Sequence, residues 1–372
     1  MRVLQFAKRS VVTVALVSLS LAGCGGDSSP DAPFNPSGTA AEIQAMNSTF
    51  ASPAFASFST FSLMFDATLG GAPIISASAA ALDIRGKTPQ GIRAAAVRSA
   101  QRLAATLRHG TGSGMSTSSA VGSGQAFASV PAEVAGKTFV YDASTGSYAA
   151  STLTGAPSNG VRFILYEVDP VTYVPVEPLT ETGYVDLIDL SAGSTQAARV
   201  LVVSGGVTYV NYTVTASSTA SSGRVTVIGM VTDGVTQANV NLQSSITYTA
   251  GLTLTYSLDL PQRDVSFDLT VSASDISQPS GTIVINLLMR GPNGTVSMIG
   301  EFTETSGTIN VRINGDAFAT VTTDGLNTTI TRNDGTPLAD DELLALQGVF
   351  DVQAEAFIAF DQMLAPVGAF FE

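Results

Sequence analysis

The chain of 372 residues has one histidine, His109, and one cysteine, Cys24. These two counts restrict its chemistry at once. A zinc centre needs three or four His, Cys or carboxylate ligands, and a Cys-His nucleophilic pair needs both residue types in one site. His109 closes a basic helical pattern beside a glycine-rich run, where the helix dipole favours a cation. A serine triad would need His109 to reach across that run, and no G-x-S-x-G stands nearby. Acidic side chains number 30, so a carboxylate pair of the glycosidase kind is the enzyme chemistry left open. The densest acidic group, Asp340-Asp341-Glu342, opens a helical pattern, where capping and dipole compensation explain it. The Asp-Gly pairs at Asp233, Asp324 and Asp334 do not fit D-x-[DN]-x-[DN]-G and read as turns. The glycine-rich stretches lack the Lys-Thr or βαβ context of a phosphate loop. With no tryptophan and nine tyrosines, stacking on sugars is weakly supported. No catalytic residue, metal or cofactor is expected.

Cys24 has a different chemistry. Arg2, Lys8 and Arg9 precede the apolar run VVTVALVSLSL at 11–21, and the small residues Ala22 and Gly23 lead into the cysteine. That run is too short to span a bilayer as a helix but suits the core of a signal peptide. Leu21-Ala22-Gly23-Cys24 closely resembles the lipobox of bacterial lipoproteins. The resemblance implies a diacylglyceryl group on the Cys24 thiol, cleavage between Gly23 and Cys24, and acylation of the new amino terminus. Two or three acyl chains anchor stably, at about 0.8 kcal/mol per buried methylene. Gly25, in place of the aspartate that favours inner-membrane retention in enterobacterial lipoproteins, points to the outer membrane. The expected location is therefore the cell envelope, lipid-anchored, facing the periplasm or the outside.

Cleavage after residue 23 leaves 14 basic against 30 acidic side chains, moving the formal charge from −13 to −16. Such a surface repels a phosphate backbone, so no nucleic-acid partner is expected. With 45% apolar residues there is ample material for a core. Residues 24–39 are rich in Gly, Ser and Pro and read as a flexible tether. Residues 40–110 read as helical. Phe55, Phe58, Phe61 and Phe65 are spaced for a buried helical hairpin, with a second membrane span as the rival reading. Thr88-Pro89 opens a further helix, with Ile92, Ala96, Ser99, Leu103 and Leu107 on one face and Gly110 as its stop. Six basic residues and no acidic ones lie between Arg85 and Arg108, giving either a solvated face or a helix resting on anionic head groups. Residues 111–135 are a Gly/Ser-rich linker by composition.

Over 136–338 the hydrophobic period becomes two. GLTLTYSLDL sets Leu252, Leu254, Tyr256, Leu258 and Leu260 against Thr253, Thr255, Ser257 and Asp259. After PQRD the alternation resumes with Val265, Phe267, Leu269 and Val271, which predicts a hairpin with one dry and one wet face. TDGV, GPNG, INGD, TDGL and NDGT mark further turns, and about a dozen strands are expected. TIVINLLM at 282–289 is apolar on both faces, as for a central or doubly covered strand. Residues 339–366 predict a C-terminal helix packing on the sheet, with Leu343, Leu346, Phe350, Phe357, Phe360 and Leu364 in one stripe and Pro366 as its end. The expected fold is thus mainly β with helices (α+β): an antiparallel meander forming a curved sheet or partial barrel packed against the N-terminal helices and the C-terminal helix. A two-sheet β-sandwich is the alternative.

The layout loosely resembles periplasmic lipid-carrier half-barrels, in which a curved antiparallel sheet cradles helices. That likeness is topological, and it assigns no binding residue. Three functions follow as expectations. The preferred one is a non-enzymatic lipid-anchored envelope protein with a structural or interaction role. The alternative is a carrier of lipid or another hydrophobic ligand, and the third is a carboxylate-based hydrolase. The partners expected are the membrane, through the anchor, and an envelope protein or hydrophobic ligand.

Overall fold

The structure is a computed structural model, and it describes residues 34–50, 53–55, 57, 58, 61, 130–169, 174–192, 195–219, 221–247, 251–274, 281–303, 305–324 and 328–371. Two helices have complete bounds: α1, Pro36–Phe50, and α2, Asp340–Phe371. Between them lie fifteen strands: β1 Thr138–Asp142, β2 Ser147–Ala150, β3 Gly160–Tyr166, β4 Glu181–Asp189, β5 Gln196–Ser204, β6 Val207–Ser218, β7 Ser222–Thr232, β8 Gln237–Thr247, β9 Gly251–Leu260, β10 Val265–Ser274, β11 Ile283–Gly291, β12 Gly294–Phe302, β13 Gly307–Ile313, β14 Asp316–Thr323 and β15 Thr328–Arg332.

All fifteen belong to one open, curved sheet in near-sequential order, from β15 through β3 and then β1 and β2. They are hydrogen-bonded continuously, not divided between two sheets. The pairing is antiparallel except where β1 runs parallel to β3, Thr138 beside Arg162. The connection at 151–159 passes from β2 beyond β1 to reach β3, whereas from β3 onward the chain is a meander in which each connection leads to the adjacent strand. Two-residue turns enforce this. Gly205 and Gly206, at φ 56° and 81°, join β5 to β6, and Asn314 and Gly315, at φ 52° and 91°, join β13 to β14. Positive φ at both central positions is what a hairpin with right-handed twist requires, and Asn and Gly tolerate it best.

The alternating register puts one apolar face inward along the entire sheet. The β9–β10 hairpin has the predicted register, with Leu260 opposite Val265, Leu258 opposite Phe267 and Tyr256 opposite Leu269. All of these are buried, while Thr253 and Thr255 are exposed. The outward face of β6–β15 carries mostly Thr, Ser, Asn and Gln. This polarity is the reverse of a transmembrane barrel, whose outward residues form the apolar band. β11 departs from the expectation of double coverage. Ile283, Ile285, Leu287 and Met289 are buried, but Val284 is 41% exposed. The strand is central in the sheet, and scattered outward apolar residues are ordinary on a folded surface.

The helices differ from the sequence reading at three places. First, α1 starts inside the stretch expected as tether. Asn35 caps it, accepting from the Gly38 amide through Oδ1 at 3.0 Å, and Pro36 takes the first helical position, where no amide partner is needed. Second, α2 continues through Pro366 to Phe371. Proline removes one amide and crowds the preceding turn, yet Pro366 is itself buried, and apolar burial outweighs the break. Third, Leu343 stands 42% exposed, outside the buried stripe. Leu346 and Phe350 of the expected stripe are buried, together with Ala345, Val349 and Val352, whereas Leu343 belongs to the solvent-facing first turn of α2. Leu364 is half-buried, and the side chains of Phe357 and Phe360 lie outside the described residues. α1 and α2 approach closely at Gly348, where an added Cβ would come within 3.2 Å of Ile43.

Candidate functional site

Two polar constellations lie next to the core, one inside the sheet and one where α1 enters it. Inside, Tyr212 of β6 is 1% exposed, and its hydroxyl donates to the Met363 carbonyl of α2 at 2.7 Å. Pro366 lies within one turn of that carbonyl, in the part of the helix where the regular amide ladder is incomplete. The tyrosine ring meets Phe58 edge-on with centroids 6.3 Å apart, and Phe58 in turn neighbours Phe55 and Phe61. Phe61 closes against Phe163 and Tyr148 at 4.8 and 5.7 Å. The three phenylalanines of the N-terminal helical pattern are therefore buried in the protein core, at 2%, 0% and 1% exposure. Phe65 lies outside the described residues. Replacing Tyr212 by Phe should cost about 1 kcal/mol, the usual net worth of one such bond. Urea unfolding of the two proteins checks this, and an unchanged midpoint would mean the bond contributes nothing net.

Burial raises the phenol pKa values of Tyr148, Tyr212 and Tyr256 well beyond the ordinary tyrosine range. These groups stay protonated, and Tyr148 and Tyr212 donate to the Ile164 and Met363 carbonyls at 2.9 and 2.7 Å. Tyr256 Oη and Ser244 Oγ, diagonal neighbours on β9 and β8, are sealed from solvent with no hydrogen-bond partner among the described residues. An unpaired buried hydroxyl costs about 1–3 kcal/mol.

At the entrance of α1, the β11–β12 turn docks on the helix. The Asn293 side chain donates to Glu42 Oε1 and accepts from Asn35 Nδ2 at 2.9 Å. Gly291 makes room, since a Cβ there would fall 2.5 Å from Glu42 Oε2. Glu42 is only 6% exposed, and its Oε2 has no partner among the described residues. Desolvation raises its pKa, partly offset by the hydrogen bond from Asn293. A single carboxyl beside an asparagine can hold a segment in place, and among the described residues no second carboxylate joins its hydrogen bonds. A second buried carboxylate among the described residues, Asp186, is held bidentately by Arg162 at 2.7 and 2.8 Å, with the guanidinium 3.6 Å above the Tyr184 ring. The neighbouring arginine consumes its charge, so the pair reads as a cross-strand brace.

The acidic group at the start of α2 is occupied in the same way. Glu342 Oε2 accepts from the Ala339 amide at 2.9 Å and from Arg332 at 2.8 Å, and Asp341 accepts from the Glu342 amide at 3.0 Å. The Asp-Gly turns use their carboxylates locally. Asp233 accepts from the Val235 and Thr236 amides at 2.8 and 2.6 Å. Asp334 accepts from the Thr336 hydroxyl and amide, which lowers its pKa. Among the described residues no group of three or more His, Cys, Asp or Glu is placed to hold a metal ion. No helix among them is long and apolar enough to cross a membrane.

Gly23 and Cys24, the sites read as cleavage and lipidation, lie outside the described residues, as do His109 and the basic pattern from 85 to 108. The sequence reading missed Glu42 and Asn293 as a pair. Its only signals were a lone acid in a weakly polar helix and an asparagine in a turn, 251 positions apart. The chain matches no known protein family, no curated protein and no solved structure.

Proposed function

We propose that the protein is a non-enzymatic, lipid-anchored component of the bacterial envelope with a structural or interaction role, held at the membrane by acyl chains on Cys24. In this reading the helices fill the concave face of the sheet, and the body has no room for cargo. The observation carrying it is the closure of that face. Val200, Val202, Val210, Val214, Val227, Phe267, Val271 and Leu287 are all 0% exposed, from β5 across to β11. A carrier needs apolar lining that its own side chains leave uncovered. One feature favours the carrier reading: the unpaired hydroxyls of Ser244 and Tyr256 would gain a partner from the polar atom of a bound molecule.

Fractionation of cells expressing the chain and its Cys24→Ser variant tests the anchor. The wild type should sediment with membranes, and the variant should appear in the soluble envelope fraction or remain unprocessed. A processed variant that still sediments with membranes would refute the anchor. Native mass spectrometry of the released protein, with solvent extraction, separates the two roles. An empty body supports the structural reading, whereas one lipid per chain supports the carrier.

A further inference from the structure

The sheet has two ends, and the hairpins alternate between them. At one end lie the β3–β4 connection, the β5–β6, β7–β8, β9–β10, β11–β12 and β13–β14 turns, and the entrance of α1. The chain reaches this end from the amino terminus through Phe34, which packs on Phe318 with centroids 6.1 Å apart, and Asn35, which is tied to Asn293. Phe34 is ten positions beyond Cys24, a reach of at most about 35 Å when extended. A lipid on Cys24 therefore keeps this end near the membrane.

The same end presents apolar side chains on three successive hairpins. Val174 and Val176 lie within the β3–β4 connection at 48% and 40% exposure, Val207 follows the β5–β6 turn at 46%, and Val235 tops the β7–β8 turn at 88%. The β7–β8 tip folds over Tyr209 of β6, whose hydroxyl would lie 3.6 Å from a Cβ on Gly234. Valines flanking a tyrosine suit the boundary between head groups and acyl chains. The β7–β8 turn also meets the backbone condition for leaving water. Its Gly234 amide donates to Thr232 Oγ1, and its Val235 and Thr236 amides donate to Asp233 Oδ1, at 3.0, 2.8 and 2.6 Å. With those amides satisfied internally the backbone of the tip needs no water, so Val235 can enter the apolar boundary while the Asp233 carboxylate stays at the hydrated head-group level. Leu153 and Leu190 are also exposed, but at the opposite end, where no tether enters.

We infer that the hairpin tips bearing Val174, Val176, Val207 and Val235 form a second membrane contact, resting on the bilayer that holds the Cys24 acyl chains and fixing the orientation of the body. Acidic residues at this end, among them Asp264, Asp316, Asp334, Asp340 and Asp341, argue for a zwitterionic lipid surface, not an anionic one. The inference rests on the anchor reading.

The test uses the full lipidated chain in phosphatidylcholine vesicles. Acylation blocks Cys24, so Val235→Cys or Ser221→Cys at the opposite end provides a single thiol for an environment-sensitive dye. The dye at 235 should be quenched by nitroxides in the acyl chains and be several-fold less accessible to aqueous iodide than the dye at 221. Adding Val174→Asp and Val207→Asp to the Val235→Cys protein should restore iodide access, which separates docking by the tips from insertion of the dye. Equal iodide access at 235 and 221, in protein whose mass shows lipid on Cys24, would overturn the contact and leave the anchor standing. A mass showing unmodified Cys24 would overturn the anchor, and the contact with it.

Discussion

Truncating Phe58 to alanine is expected to destabilise the protein by about 3–5 kcal/mol, the range for removing a fully buried aromatic ring. Phe58 is 0% exposed and touches Phe55, Phe61 and Tyr212, so its removal opens a cavity between the N-terminal helical segment and β6. The neighbouring rings are held by Phe163, Tyr148 and the Tyr212–Met363 hydrogen bond, which limits how far the site can collapse. The cost should therefore lie toward the upper part of that range. Chemical denaturation followed by circular dichroism measures it as a lower midpoint at unchanged slope. A change below about 1 kcal/mol would mean that the N-terminal segment is not part of the cooperative core, contrary to the ring contacts. Phe58→Leu keeps much of the volume and should recover most of the loss.

How legible this architecture was depended on the range of the interactions. Strand alternation is a local property, so the β9–β10 hairpin could be read residue by residue, from Leu252 to Val271. Turn chemistry is local too, and INGD marked the β13–β14 turn through Asn314 and Gly315. The count of about a dozen strands fell short of fifteen because β1, β2 and β15 are only four or five residues long. That is too short for alternation to stand out. The end of α2 was misplaced for a different reason. Proline is a strong local stop, but whether Pro366 ends the helix depends on the apolar environment that buries it, which no local pattern records. The same limit applies to Glu42. Its burial, its raised pKa and its partner arise from contact with a turn far along the chain, and neither residue looks unusual in its own segment.

That pairing gives the second large effect. Asn293→Ala is expected to destabilise the protein by about 2–3 kcal/mol at neutral pH, the upper range for a hydrogen bond to a charged group. The substitution removes the donor to Glu42 Oε1 and the acceptor for Asn35 Nδ2, while Glu42 remains buried against Gly291. Its pH dependence separates this role from simple packing. The folded-state pKa of Glu42 is raised by desolvation. The folded protein therefore holds the Glu42 proton more tightly than the unfolded chain does. The corresponding stability is complete below the unfolded carboxyl pKa and is lost as pH rises through the folded one. Asn293 stabilises the ionised form, so its removal should raise the folded pKa of Glu42 further and enlarge the loss on going to neutral pH. The penalty of Asn293→Ala should thus be small near pH 4 and largest near pH 7.5, as read from urea midpoints across that range. Glu42→Gln in the same background keeps the shape without the charge and should abolish most of that pH dependence. A penalty equal at both pH values would mean that Asn293 acts only as packing between α1 and the β11–β12 turn, and that the carboxylate there draws no support from it.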